Sequence, residues 1–324
     1  MSPSLRQSCE KLCPSHLWGM AMKRVLIADP IDESAVAKLK AAGLEIVIRD
    51  AEKDGPIEKQ IKGFDCVVVR SATKITKDVI DATDNLKLVV RAGVGLDNVD
   101  KKAAEAKGIV VQNTPEAPTV SVAEMVFSLM FALARNIARA DSSMKNERWE
   151  KKKLSGTELW QKTIGVVGFG RIGQEVAKRA RAFEMNVLAY DVIDIDQACK
   201  ETGAKKTDLN TIIENADYIT LHVPLLPQTK GMIGAKELKM MKKTAFIINT
   251  ARGGVINEKA LLDALNAEEI AGAGLDVYES EPPTDWHLVK HPKVVATPHL
   301  SSSTEEGQIR VGDLTVQKVI DGLK

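Results

Sequence analysis

The chain has 324 residues, more than one typical domain holds, so two domains with separate cores are expected. Its 45 Lys and Arg balance 44 Asp and Glu at a formal net charge of +1, which gives no global electrostatic reason to expect nucleic acid or an anionic membrane as partner. Four scattered cysteines (Cys9, Cys13, Cys66, Cys199) do not make a disulfide framework and suit a reducing compartment, so the expected location is cytoplasmic.

Residues 1–21 precede the first recognisable strand, lack the long apolar core of a secretory signal, and are expected to form a disordered extension. Cys9, Cys13 and His16 lie within it, an incomplete set against the four ligands of structural zinc, so no metal is expected. From Lys23 the chain alternates strand and helix patterns. Strands are predicted over Arg24–Asp29, Leu44–Arg49, Asp65–Arg70, Leu86–Gly93 and Ile109–Asn113, with helices over Glu33–Ala42 and Ile57–Lys62 between the first three. That alternation implies a parallel sheet covered on both faces, whose ligands bind beyond the carboxyl ends of the strands. Arg70-Ser71, Gly93-Val94-Gly95 and Asn113-Thr114 are therefore the rims of one expected crevice.

Ser121–Asp141 reads as one helix, started by an S-x-x-E capping box of Ser121 and Glu124. It is apolar on nearly every side for four turns, which predicts burial between domains or against another subunit. Its segment Val122–Ala134 contains Glu124, ends at Arg135 and falls short of the ~20 apolar residues that span a bilayer. After a Lys-rich connection a second series supplies six strands: TIGVVG, NVLAYD, YITLHV, AFIINT, AGAGLDV and KVVATPH, starting at Thr163 and ending at His299. Six is the number a complete dinucleotide domain requires. Thr304–Leu323 reads as a closing amphipathic helix.

Within the second series, Gly168, Gly170 and Gly173 follow a strand as G-x-G-x-x-G, and a helix opens near Arg171 and Ile172, whose free N–H groups and positive dipole end face a pyrophosphate. Taken alone, the pattern also fits an ordinary glycine-rich turn. Asp191, ending the next apolar run 18 positions after Gly173, fits the ribose-binding acid expected roughly 20 residues on. A 2′-phosphate would face Asp191, with Asp194 and Asp196 close by. Two like charges about 4 Å apart cost on the order of 4 kcal/mol at an effective dielectric near 20, so NAD is expected over NADP.

Strand ends also carry reactive side chains. Arg252 follows AFIINT, where a guanidinium can hold a substrate carboxylate and polarise the adjoining carbonyl; the plain alternative is a surface arginine in a Gly-Gly turn. Glu281 and His299 follow the last two strands. Oxidising a hydroxyl or reducing a carbonyl moves a proton as well as a hydride, and an imidazole oriented by a carboxylate suits that task. Of the five histidines, His16 is in the extension, His287 and His291 lie in a polar loop, and His222 faces the cofactor crevice.

In this order VVRSATKIT, RAGVGLDNVD, NTPEAPTVSVAE, GVVGFGRIG, LHVPLLPQTKGMI, NTARGGVINE, GLDVYESEPP and TPHLSSSTEE resemble the D-isomer-specific 2-hydroxyacid dehydrogenase family, and within it the branch that oxidises D-3-phosphoglycerate. The resemblance runs from about Lys23 to the end. It implies an α/β protein of two doubly wound, parallel-sheet (Rossmann-like) domains, with an NAD-binding domain (121–299) inserted into a substrate domain (22–120 and 300–324). It further implies Arg252, Glu281 and His299 as the catalytic set, with His299 the acid/base, Glu281 its partner and Arg252 the substrate anchor. NAD would be held by the glycine turn with Arg171 and Ile172, by Asp191 on the ribose, by His222, Pro224, Thr229, Thr250, Ala251 and Ser301, and by Asp276 on the nicotinamide amide. Substrate would meet Gly93, Val94, Gly95 and Arg252, and a phosphorylated one needs a further cation, for which Arg70 with Ser71, and Lys74, is best placed.

The implied reaction yields 3-phosphohydroxypyruvate and is the first step of phosphorylated serine biosynthesis. Glyoxylate or hydroxypyruvate reduction, or another D-2-hydroxy acid, is the alternative within the family, and an NAD-binding corepressor is the alternative outside catalysis, since one fold serves several functions. The family resemblance also implies a homodimer through the NAD-binding domain. Two departures stand out: Ser301-Ser302-Ser303 replaces the usual glycine or alanine, and no C-terminal regulatory domain is read, which argues against feedback by serine.

Overall fold

The structure, a computed structural model, describes residues 22–324. The expected extension with Cys9, Cys13 and His16 lies outside the described residues. The chain divides into two compact units, one running to Pro115 and resuming over Ile309–Lys324, the other Glu116–Gln308.

In the first unit β1 (Arg24–Ile27), α1 (Glu33–Ala41), β2 (Glu45–Ile48), β3 (Cys66–Val69), α2 (Lys77–Asp81), β4 (Leu88–Arg91), α3 (Lys101–Ala106) and β5 (Val110–Asn113) follow one another. The strands form a parallel sheet in the order β2-β1-β3-β4-β5. Central β3 is a continuous apolar run, and β4 is apolar up to Arg91, because both their faces are covered. The helix starts are set by polar side chains that accept from otherwise orphaned N–H groups: Asp32 from Ser34, Thr76 from Val79 and Asp100 from Ala103. Of the expected helix Ile57–Lys62 only a 3-10 turn, Ile57–Lys59, forms.

The second unit begins with α4 (Thr119–Ala134) and α5 (Ile137–Lys145). The single helix expected over Ser121–Asp141 is thus two, bent by 63°, because Asn136 takes a left-handed conformation with φ of 52°. Nor does the Ser121 capping box form. The helix starts two residues earlier with Pro118 as its N-cap, and the Ser121 hydroxyl lies 2.8 Å from Thr304 Oγ1. On α4, Val126, Phe127, Leu129 and Met130 join one core cluster of its own unit, while Val120, Glu124, Ser128 and Phe131 stay exposed, so burial within the unit covers one face of the helix.

After α5 come β6 (Thr163–Val167), α6 (Arg171–Ala182), β7 (Asn186–Tyr190), α7 (Asp196–Thr202), β8 (Lys205–Lys206), α8 (Leu209–Asn215), β9 (Tyr218–Leu221), α9 (Ala235–Met240), β10 (Phe246–Asn249), α10 (Glu258–Asn266), β11 (Gly272–Leu275), β12 (Val294–Ala296) and α11 (Glu305–Gly322), whose larger part, from Ile309, belongs to the first unit. The sheet is parallel in the order β12-β11-β10-β9-β6-β7-β8, so it holds seven strands where six are predicted. Two apolar clusters, one containing α4 and α6 and the other α8 and α10, cover its faces. No single helix among the described residues is long and apolar enough to cross a membrane.

Candidate active site

In the second unit the winding reverses between β6 and β9, the point where doubly wound sheets bind dinucleotides. Gly168 leaves β6 there with φ of +91°, and a Cβ on it would lie 2.6 Å from the His222 carbonyl oxygen, so only glycine lets the chain turn this close to the end of β9. Gly173 packs α6 down on that turn, while Gly170 is exposed and faces open space where a Cβ would stand. Gly170 is also the N-cap of α6 and offers no side chain to the first N–H groups of the helix. An uncapped helix start beside an open glycine, with the buried Thr250 hydroxyl lacking any partner, fits a pyrophosphate-containing cofactor. Arg171, at the mouth of the turn, pairs with Glu116 at 3.2 Å, and Ile172 lies half-buried beneath it.

Asp191 braces the same turn. Its Oδ2 accepts from Phe169 N at 2.7 Å and its Oδ1 from Val192 N and Ile193 N at 2.7 and 3.3 Å. A carboxylate has about four acceptor positions, which leaves one for a ribose hydroxyl. Asp194 and Asp196 do not reinforce its negative field as expected, because Lys206 of β8 pairs with both, at 3.2 and 2.7 Å. The charge argument for NAD therefore rests on Asp191 alone.

Residue His222 follows β9 with Nε2 3.1 Å from Thr220 Oγ1, and desolvation of the ring pushes its pKa down to about 3, which keeps it neutral. In the next loop the Thr229 hydroxyl donates to Pro224 O at 2.5 Å and accepts from Leu226 N at 2.8 Å, closing its own turn.

The adjacent ends of β10, β11 and β12 carry the remaining chemistry. Asn249 shapes the turn after β10 by accepting from Ala251 N at 3.0 Å and donating to Arg252 O at 2.9 Å. After β12, His299 takes a left-handed conformation with φ of 53° and its N–H donates to Asp276 O at 2.9 Å. His299 Nδ1 donates to Glu281 Oε2 at 2.8 Å, while Glu281 Oε1 accepts from Tyr278 N at 3.2 Å. The two side chains are 44% and 40% exposed, so the ring is fixed on one edge and reachable on the other. Tyr278 OH donates to Thr297 O at 2.9 Å across the strand ends, and burial pushes that hydroxyl up to about 12, so it stays a donor.

The Asp276 carboxylate, expected on the nicotinamide amide, is fully buried and fully used. It accepts from Leu300 N at 2.8 Å, Ser301 N at 2.9 Å and the hydroxyls of Thr297 and Ser301, which fills its acceptor positions and ties down the backbone on both sides of His299. Ser301, expected at the cofactor, is likewise engaged with Asp276. Neither this role nor that of Thr220 or Lys206 has a spacing signal in the sequence.

In the first unit Arg70, Ser71 and Lys74 follow β3, and Gly93-Val94-Gly95 follow β4, all at the carboxyl edge of the sheet. Asn113 Nδ2 donates to Val94 O at 2.5 Å and Thr114 N to Gly93 O at 2.9 Å, holding the glycine loop. Among the described residues no group of three or more His, Cys, Asp or Glu is arranged to hold a metal ion.

A family model described as "D-isomer specific 2-hydroxyacid dehydrogenase, NAD binding domain" matches residues 127–301. The D-3-phosphoglycerate dehydrogenase of Methanocaldococcus jannaschii is 46% identical over 299 residues, 92% of this chain and 57% of that protein. Hydroxypyruvate reductase of Thermotoga maritima is 48% identical over 310 residues, 94% of this chain and 99% of that protein. Among solved structures, the D-lactate dehydrogenase of Aquifex aeolicus complexed with NAD and lactic acid matches with a TM-score of 0.83 and 30% identity, covering 93% of this chain and 95% of that one. The chain spans little more than half the length of the phosphoglycerate dehydrogenases first matched and nearly all of the reductase.

Proposed function

The chain belongs to the D-isomer-specific 2-hydroxyacid dehydrogenase family, and within it we propose that the protein oxidises D-3-phosphoglycerate to 3-phosphohydroxypyruvate with NAD. The observation that carries the dehydrogenase reading is the 2.8 Å pair of His299 Nδ1 and Glu281 Oε2 at the strand ends. Glu281 holds the Nδ1 proton, so Nε2 is the ring atom that takes the hydroxyl proton as the alcohol becomes a carbonyl. Arg252 anchors the substrate carboxylate. NAD, when bound, supplies the acceptor for the hydride that leaves the hydroxyl-bearing carbon. Gly168, Gly170, Gly173 and the start of α6 would hold its pyrophosphate and Asp191 its ribose, with Thr250 and Ala251 as further contacts. In this reading residues 121–299 are the NAD-binding domain, and 22–120 with 300–324 the substrate domain.

The phosphate preference rests on Arg70, a half-buried residue at the end of β3 whose Nη1 has, among the described residues, one contact, a donation to Pro30 O at 3.5 Å. A partly free guanidinium fork suits a phosphate. Reduction of hydroxypyruvate is the second reading, favoured by the likeness to the Thermotoga maritima reductase over almost its whole length. NAD reduction with D-3-phosphoglycerate, D-glycerate and D-lactate, beside NADH oxidation with hydroxypyruvate, separates the two. The expected result is a preference for D-3-phosphoglycerate that Arg70→Ala removes; equal rates on all acids, or no loss with Arg70→Ala, would defeat the phosphate reading.

A cytoplasmic homodimer joined through the NAD-binding domain completes the proposal. The exposed rings of Phe131, Trp160 and Phe183 line one shallow depression of that domain, an apolar surface of the kind a second copy covers. A sedimentation mass of 35.3 kDa at micromolar concentration would exclude the dimer.

A further inference from the structure

We propose that Asp29, together with Asn98, is a positioning residue that fixes the Arg70–Thr73 turn for binding of the substrate's phosphate, an inference that rests on Arg70 being the phosphate-binding cation. In the order β2-β1-β3-β4-β5 the winding reverses between β1 and β3, and ligands of doubly wound sheets bind at that reversal. The segment that leaves β1 reaches Asp29 two residues on, and Arg70 leaves β3 directly.

Asp29 is only 5% exposed. Its Oδ2 accepts from Arg70 N at 2.6 Å and Thr73 N at 3.1 Å, and its Oδ1 from Thr73 Oγ1 at 2.6 Å. Asn98 Nδ2 donates to Arg70 O at 2.7 Å and Thr73 O at 2.6 Å. The N–H and C=O of both end residues of the turn are therefore held by two side chains, while Ser71 and Ala72 between them stay exposed. Burying a carboxylate costs stability unless its acceptor positions are used, and hydrogen bonds to an ionised acceptor are about twice as strong as neutral ones. An apolar side chain could fill the same space without holding the turn. Asp29 also begins the connection whose next carbonyl, Pro30 O, receives the Arg70 guanidinium. One residue thus sets both the backbone from which Arg70 projects and the surface against which it rests.

The test compares Asp29→Asn, Thr73→Val, Thr73→Ser and Arg70→Ala in the full-length protein, reading kcat and KM for D-3-phosphoglycerate, Kd for NADH by fluorescence, and hydrogen exchange over residues 70–74. Replacing the carboxylate by an amide turns one acceptor into a donor facing N–H groups. KM should rise about tenfold or more with kcat within about threefold and the NADH Kd unchanged, as expected for losing a charge-assisted bond. Exchange of the turn should speed up. Thr73→Val should raise KM in the same direction, Thr73→Ser should restore the wild-type value, and this pair carries the test if Asp29→Asn does not fold. An unchanged KM in Asp29→Asn beside a raised KM in Arg70→Ala overturns the positioning role alone. An unchanged KM in Arg70→Ala, or no turnover of D-3-phosphoglycerate, overturns the phosphate reading and the positioning role with it. A rise in NADH Kd in step with KM would mark a general loss of structure and also count against the proposal.

Discussion

At His222 the environment sets the charge. The unfolded chain protonates this imidazole near pH 6.5, whereas the folded protein keeps it neutral down to about 3. Between those values the unfolded state binds more protons, so stability rises with pH across the window and is flat above it. Acidification from pH 7 to 5 should remove at most roughly 2 kcal/mol through this group, and His222→Asn should flatten that slope. Urea unfolding of both proteins at pH 5, 6 and 7 measures it, and parallel slopes would refute the assignment. The functional single residues divide by how they signal themselves. Arg252, Glu281 and His299, proposed as the catalytic set, can be singled out because each stands a few positions past an apolar strand, in a family motif. Asp29 and Asn98 are not, because they hold a turn distant in sequence, and Thr220 and Lys206 are not, because each makes one or two polar contacts that no periodicity records.

Every predicted strand segment of both sheets forms one, and the inner strands were legible because a strand buried on both faces must be apolar, as in β3 and β11, while the partly buried β2, β5 and β12 still carry enough Val, Ile and Ala to be read. The missed strand, β8, is two exposed lysines at the edge of the second sheet, where no apolar pattern is required. The predicted long helix failed at Asn136, whose left-handed backbone, with its side-chain amide donating to Ser155 O at 3.1 Å, leaves no mark in the periodicity. The turn after β10 allows a sharper test of how elements meet. A Cβ on Gly253 would lie 1.7 Å from Tyr278 O and 2.6 Å from Glu279 N, so the Arg252 turn lies directly on the segment that carries Glu281. That segment cannot give way easily, because Glu279 N donates to Glu258 Oε1 at 2.6 Å and Glu258 N donates back to Glu279 Oε1 at 3.2 Å at the start of α10. Gly253→Ala should therefore move Arg252 away from Glu281 and lower kcat/KM on the order of 10²-fold, the cost of misplacing a catalytic group by about 1 Å. NADH affinity should fall by much less, and a variant with near-normal kcat/KM would show that the two turns can separate without consequence.

At the scale of the molecule, the two units differ in how the chain supplies them. Glu116–Gln308 is continuous and has its own two apolar clusters, whereas the other unit is assembled from a segment ending at Pro115 and another resuming at Ile309. A continuous segment with its own core is the kind that folds alone. The fragment 116–308 should therefore unfold cooperatively without the rest of the chain and bind NADH within about tenfold of the full-length Kd, since the glycine turn, Asp191 and Thr250 all lie inside it. With NADH at 100 times its Kd, linkage adds about 2.7 kcal/mol of stability. For a domain of 150–250 residues, that raises the melting temperature by roughly 5–10 °C. A melting temperature indifferent to NADH would contradict the assignment of the cofactor to this unit.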